Sequence, residues 1–312
     1  MAKKIAKLTA GILGATLAVS GCAVGSGCGK KQEEDAGNAV YLMGSLSTDE
    51  GQMMGIVVQT KTKTIVIDGG AKNHADQLVT FLKEKADSHV DAWFFTHPHQ
   101  DHLGAFFQIF NEFSIYEDVQ VDKIYHHFPT VEELDEYGYR NADENSMQHY
   151  AYKLFEGEFS DRVHVLQKDE KFVFDDVTLT VLRVFNSEIK TNFVNNSSAV
   201  FRIENENASF LILGDLGVQG GEEVMENCPL ELLQTDYTQM AHHGQGGVSQ
   251  EFYQYIQPRK CIWPTPEWLW RNDGGGGFDT GNWQTVRTRE WMEQLGVTKH
   301  YVAKDGTQKI PF

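Results

Sequence analysis

The sequence predicts an α/β domain built as a four-layer αββα sandwich, two sheets packed together with helices outside. Three observations predict it. Strand hairpins come first, β-α alternation follows, and a second series then repeats that order. Hydrophobic residues are 41% of the 312, enough to bury a large core and to exclude global disorder. Several apolar, strand-like runs end in Asp, Gly or His, which puts polar side chains at strand ends where they can converge.

The first thirty-eight residues read as an address. Lys3, Lys4 and Lys7 form a positive start, and Ala10 to Val19 is an apolar run too short for a stable bilayer span. The run ends in Val19-Ser20-Gly21-Cys22, which resembles the bacterial lipobox. The expectation is a lipoprotein signal peptide over 1–21, a lipid on Cys22, a polar tether over 22–38 and one domain over 39–312. The protein would then sit on the extracytoplasmic face of a bacterial membrane, with secretion as the alternative. Four cysteines in a chain of this length do not make a disulfide scaffold.

Along the domain, Ile56–Gln59 and Thr64–Ile67 read as a β-branched hairpin around Lys61-Thr62-Lys63. Ala75–Ala86 carries Leu78, Val79, Phe81 and Leu82 at helical spacing. Val90–Phe95 is a short apolar strand, Leu103–Phe113 a mostly buried helix and Val119–Tyr125 another strand. The acidic, aromatic stretch 130–157 predicts helices inserted over the core. Two hairpins follow, Phe172–Phe174 with Val177–Val184 and Ala199–Ile203 with Ser209–Leu213. Tyr237–Ala241, Lys260–Trp263 and Lys299–Val302 are later strands, with helices near Gln250–Ile256 and Gln284–Leu295.

A formal charge of −17 argues against general nucleic-acid binding, whose affinity comes from clustered Lys and Arg. The chemistry concentrates in Thr96-His97-Pro98-His99-Gln100-Asp101-His102, three imidazoles and a carboxylate directly after a strand. Neutral imidazole and carboxylate are ligands for zinc and similar ions. His126, His127 and His164 lie in or beside strands and are weaker ligand candidates. Five of the six tryptophans follow residue 262, around the glycine run Gly274–Gly277, and either pack the core or line a cleft.

The H-x-H-x-D-H pattern resembles the metallo-β-lactamase superfamily, and three more segments match that family in chain order: Ile65–Gly70 ending in Asp-Gly-Gly, Phe210–Asp215 ending in Gly-Asp, and Tyr237–Gly244 ending in His-His-Gly. The resemblance implies an αββα sandwich of that type and two divalent ions, zinc or alternatively manganese. His97 and His99 would hold one ion, Asp101, His102 and His242 the second, and Asp215 would bridge them. Asp68 would orient the ligand loop. His243 would contact a substrate oxygen or donate a proton, and Asp101 would share in catalysis. The family's third-motif histidine is absent, and the matching stretch reads Asn195-Asn196-Ser197-Ser198, so Asn195 and Asn196 stand behind the ligands. That departure, with His-His-Gly, is similar to the branch containing DNA-uptake competence proteins. Extracellular phosphorylcholine esterases are another relative within the family.

The resemblance implies an exported metal-dependent hydrolase in which the ions activate water. Its expected substrate is a phosphoester, a phosphodiester above all, of a small molecule or a cell-surface component. A competence-type nuclease, a lactone or thioester hydrolase, and a non-enzymatic metal-binding lipoprotein are the alternatives. Besides that substrate, the expected partner is the membrane reached through the lipid, and no general nucleic-acid binding is expected.

Overall fold

The computed structural model describes residues 37–46, 51–138 and 142–312. The signal region, Cys22 and the tether up to residue 36 lie outside the described residues. The first half of the domain supplies strands β1 (Ala39–Leu42), β2 (Gly55–Gln59), β3 (Thr64–Asp68), β4 (His89–Val90), β5 (Ala92–Phe94), β6 (Gln120–Val121), β7 (Ile124–His126) and β8 (Val163–Val165). The second half supplies β9 (Lys171–Phe174), β10 (Val177–Arg183), β11 (Val200–Glu204), β12 (Ser209–Ile212), β13 (Tyr237–Gln239), β14 (Cys261–Trp263), β15 (His300–Val302) and β16 (Gln308–Pro311). One seven-stranded sheet runs β16-β1-β2-β3-β5-β7-β8 and the other β15-β14-β13-β12-β11-β10-β9, while β4 pairs with β6.

Each sheet has an antiparallel half made of hairpins and a parallel half from β3 to β8 or from β12 to β15. Parallel neighbours need crossovers, and helices supply most of them. These are α1 (Ala75–Ala86), α2 (Gln100–Phe110), α3 (Val131–Tyr137), α4 (Ala142–Glu156), α5 (Val218–Asn227), α6 (Leu230–Leu233), α7 (Gln250–Ile256), α8 (Glu267–Trp270) and α9 (Thr285–Gln294). The chain closes on itself where β16 pairs with β1, Pro311 opposite Ala39.

Burial explains why the central strands read as unbroken apolar runs, since both faces of each sheet are covered. Ile65 and Ile67 of β3 join Phe94, Phe201 and Ile212 between the sheets. Val66, pointing the other way, packs with Trp93, Leu78 and Phe106 under α1 and α2. On the far side Leu211, Trp263, Phe252 and Met292 form the layer beneath α7 and α9. The order is helices, sheet, sheet, helices, as the sequence predicts.

Three local differences from the sequence reading matter. The Val90–Phe95 strand is broken at Asp91, whose carboxylate accepts the Thr64 N–H at 2.8 Å and pairs with Lys63 at 2.7 Å. Helix α2 begins at Gln100, so Asp101 and His102 belong to its first turn. Helix α5 was not expected at all. Cys228 and Cys261 are both buried free thiols. Among the described residues, no helix is long and apolar enough to cross a membrane.

Candidate metal centre

The centre is built where β3, β5, β12 and β13 end. Asp68, the last residue of β3, has φ 61° and is fully buried. Its Oδ1 accepts the Thr96 N–H at 2.7 Å, and its Oδ2 accepts the Thr96 hydroxyl at 2.8 Å and His102 Nδ1 at 2.8 Å. A carboxylate can only accept, so the His102 proton sits on Nδ1 and its Nε2 lone pair faces the opposite way. Thr96 gives its single hydroxyl proton to Asp68, so Thr96 Oγ1 accepts from His97 Nδ1 at 3.0 Å and frees the His97 Nε2 lone pair. One carboxylate and one hydroxyl thus set two imidazole tautomers, the part that outer partners play at metal sites.

Asp215 follows β12 and is buried. Its Oδ1 lies 3.2 Å from His102 Nε2 and its Oδ2 3.7 Å from His97 Nε2, so the carboxylate stands between two groups of donors. In one group, donor atoms of Asp101, His102, Asp215 and His243 lie within 4.8 Å of one another, and in the other those of His97, His99 and Asp215 do. His97 Nε2 and His99 Nδ1 face each other at 3.0 Å.

The two histidines after β13 exchange the positions expected of them. His243, not His242, enters the four-residue group, with Nε2 at 3.1 Å from Asp101 Oδ2 and 3.5 Å from Asp215 Oδ2. His243 is fully buried, and its Nδ1 donates to the Pro264 carbonyl at 2.7 Å, leaving Nε2 as a lone pair. His242 Nε2 lies 3.9 Å from Asp215 with its side chain 23% exposed. The amides of Asn195 and Gln245 approach that same nitrogen at 3.5 and 3.4 Å. The physical reason is the turn. His242 and His243 have φ 52° and 54°, and Gly244 has φ 82°. Two left-handed residues after the strand swing the second ring inward. A Cβ on Gly244 would meet the Trp263 ring at 2.4 Å, so the turn needs glycine there.

The other candidates separate clearly. Asn195 reaches the centre through His242, whereas Asn196 accepts the Gly217 and Gly220 N–H groups at 2.9 and 3.1 Å and secures the start of α5 behind Asp215. His126 is stacked on Phe155, His127 Nδ1 donates to the Leu166 carbonyl at 2.6 Å, and His164 pairs with Glu170, all away from both groups. Trp263 and Trp291 are core residues. Trp268 and Trp283 instead line a cavity of about 720 Å³ over the centre, together with Lys72, His99, Asp101, Glu144 and His242.

The sequence model of the metallo-β-lactamase superfamily matches residues 49–295, most of the chain. The chain belongs to the metallo-β-lactamase superfamily. Within curated proteins, a 69-residue stretch is 38% identical to ComE operon protein 3 of Bacillus subtilis (strain 168), covering 22% of this chain and only 9% of that protein. The metallo-β-lactamase fold protein YhfI of Bacillus subtilis superposes with a TM-score of 0.50 at 12% identity, over 88% of this chain and 100% of that one. CmlA, a diiron β-hydroxylase of Streptomyces venezuelae, gives 0.50 at 11% identity, over 88% of this chain and 54% of that one. These two structures share the fold.

The residues of this metallo-β-lactamase domain fit a divalent metal. His102 Nε2, His243 Nε2 and Asp215 Oδ1 are buried and satisfied by no hydrogen bond. Lone pairs facing carboxylate oxygens repel unless something positive lies between them. In the metal-free chain that is protons. Burial opposes the charged form of His102, but Asp215 and Asp68 outweigh it and hold the ring well above its usual range. His243 is likewise raised to about 9, burial being overcome by Asp215 and Asp101. Asp101 and Asp215 are held low against their own burial, Asp101 by its hydrogen bond with His243 and by His102, Asp215 by His102 and His243. His97 is lowered and His99 lowered to about 4, both mainly by burial, so these two are already neutral near pH 7.

A sign follows for metal binding. His243 is raised from 6.5 to about 9, so its contribution to metal-free stability is full below about 6.5 and is lost as pH rises through about 9. A cation must displace that proton. Metal binding at pH 7.5 is expected to release protons, and affinity to rise with pH up to about 9. Calorimetry in two buffers of different ionisation enthalpy measures the release; a pH-independent affinity with none released would contradict the raised protonation of His102 and His243.

Proposed function

We propose that this protein is an exported, metal-dependent hydrolase of phosphoester bonds, with phosphodiesters as its principal substrates. The observation that carries the hydrolase reading is the pair of donor groups sharing Asp215 at the floor of an open cavity. One group offers four donors and the other three, so an ion held by the second would keep room for water or substrate, as catalytic sites do. Two zinc ions suit this nitrogen and oxygen set, with manganese the alternative. When bound, they would supply activated water at neutral pH and stabilise the anionic oxygen that develops on the substrate.

The chain's own residues do the rest. Asp68 and Thr96 hold the His102 and His97 rings with lone pairs inward. His242, on the cavity wall and positioned by Asn195 and Gln245, contacts a substrate oxygen. Trp268 and Trp283, ring centroids 4.8 Å apart, offer an apolar face for the leaving group, and Lys72 offers a positive charge to a phosphate. The phosphodiester preference rests on the Asn195-Asn196 third motif with His-His-Gly. A competence-type nuclease is the second reading. It has the short similarity to ComE operon protein 3 on its side and the −17 charge against it.

Two tests bear on this reading. His243→Ala is expected to lose one ion and most activity, and His242→Ala to keep both ions and lose about 10²-fold in kcat. Elemental analysis with a chromogenic phosphodiester reads both; loss of metal in the His242 variant alone would reverse the assignment. Hydrolysis of lactones with every phosphodiester left intact would refute the substrate class and leave the hydrolase. For localisation, Cys22→Ser is expected to leave the precursor unprocessed or to release the protein from membranes; unchanged fractionation and processing would rule out the lipid anchor.

A further inference from the structure

Helix α4 belongs to the acidic insertion at 130–157, which no part of the proposed reaction uses. Its apolar stripe, Met147, Ala151, Leu154 and Phe155, is buried in the core cluster beneath the helices. A second stripe carries Glu144 and Gln148, one helical turn apart and therefore on one face. Both are buried, at 4% and 3% exposure. Gln148 Nε2 donates to the Pro98 carbonyl at 2.8 Å. The Glu144 carboxylate accepts the backbone N–H of Gln100, and its Oε1 lies 3.9 Å from His99 Nε2. The two side chains therefore hold the residues on either side of His99.

We propose that Glu144 and Gln148 are positioning residues for the His97/His99 ion, and that the insertion is a clamp on the metal-binding loop. The inference rests on the metal reading above. His99 turns Nδ1 toward His97 Nε2, so its Nε2 is the outer nitrogen, and ligand imidazoles gain basicity and a fixed orientation from an acceptor at that position. The Glu144 carboxylate is the charge that faces that nitrogen, its Oε1 3.9 Å away. The clamp falls on the group with three donors, the one for which the family resemblance implies a further histidine where Asn195-Asn196 stands. The four-donor group has its own supports in Asp68 and the Pro264 carbonyl.

The test is a competition titration of metal-free wild type, Glu144→Ala, Glu144→Gln and Gln148→Ala with Co²⁺ and Zn²⁺ against a chelator. Site affinities and the visible Co²⁺ spectrum are read together. Wild type is expected to bind two ions. Glu144→Ala is expected to weaken one of them about 10–100-fold and to shift its spectrum, leaving the other unchanged. Glu144→Gln keeps an oxygen for Gln100 and His99 without the charge and is expected to fall between; Gln148→Ala should weaken the same ion. If Glu144→Ala does not fold, the Gln variants decide. Wild-type affinities and spectra in every folded variant, or equal weakening of both ions, overturn the clamp. Wild type that binds no ion overturns the metal reading instead.

Discussion

Replacing Asp215 by Asn is expected to lower activity by more than about 10²-fold and to leave the protein with fewer than two ions. That figure is a floor, because losing partners that only orient ligands already costs about 10–100-fold. Asp215 faces His102 with one oxygen and His97 with the other, and no other residue belongs to both donor groups. Asn keeps the shape but removes the charge and turns an NH₂ group toward one imidazole. The fold is expected to survive, since the apolar layers on either side of β12 do not depend on the carboxylate. Metal content and rate measured on the same preparation check this. A variant with wild-type rate and two ions would remove Asp215 from the centre.

Asp68→Asn is expected to be nearly as damaging although Asp68 is not itself one of the donors and acts through His102. Asn tolerates the left-handed backbone at φ 61°, and one oxygen can still accept the Thr96 N–H. The other position becomes an NH₂ group facing the Thr96 hydroxyl and His102 Nδ1, which both now meet a donor. His102 must move its proton to Nε2, where it blocks the lone pair that a cation needs. A wrong tautomer of this kind costs about 10²–10⁴-fold in rate. Asp68→Ala should also destabilise the domain, as each buried partner left unpaired costs about 1–3 kcal/mol. Thermal melts and rates of the two variants separate the effects: Asn should melt higher than Ala while both are inactive. An active Asn variant would mean that the His102 tautomer is set elsewhere.

Much of this was legible in the sequence, for physical reasons that differ by element. Strand β3 and helix α1 announce themselves because a strand covered on both faces is continuously apolar and an amphipathic helix repeats every 3.6 residues. The cluster from His97 to His102 is legible because its donors are local. His242 and His243 were exchanged because a strand pattern does not show where the backbone turns left-handed, though the glycine after the pair is the available signal. Helix α5 was hidden by Gly220 and Gly221, poor helix formers. A Cβ on Gly220 would meet Leu216 at 2.3 Å and Asn196 at 2.8 Å, so tight packing explains that choice. The β1–β16 pairing joins the two ends of the domain, and no local pattern reports it. Thr96 sat in plain view beside the histidines, but its role needs Asp68 from another strand. Glu144 and Gln148 look like ordinary residues of an acidic helix, and only the docking of that helix reveals what they touch.

In the proposed function, the histidines and aspartates at these strand ends form one site for two divalent ions. The direct measurement is metal content per chain, by elemental analysis of protein purified without chelator and then exposed to excess Zn²⁺ and desalted. The account predicts two ions per chain in the wild type and fewer in Asp215→Asn. Folded wild-type protein that retains no divalent ion after that exposure would contradict it.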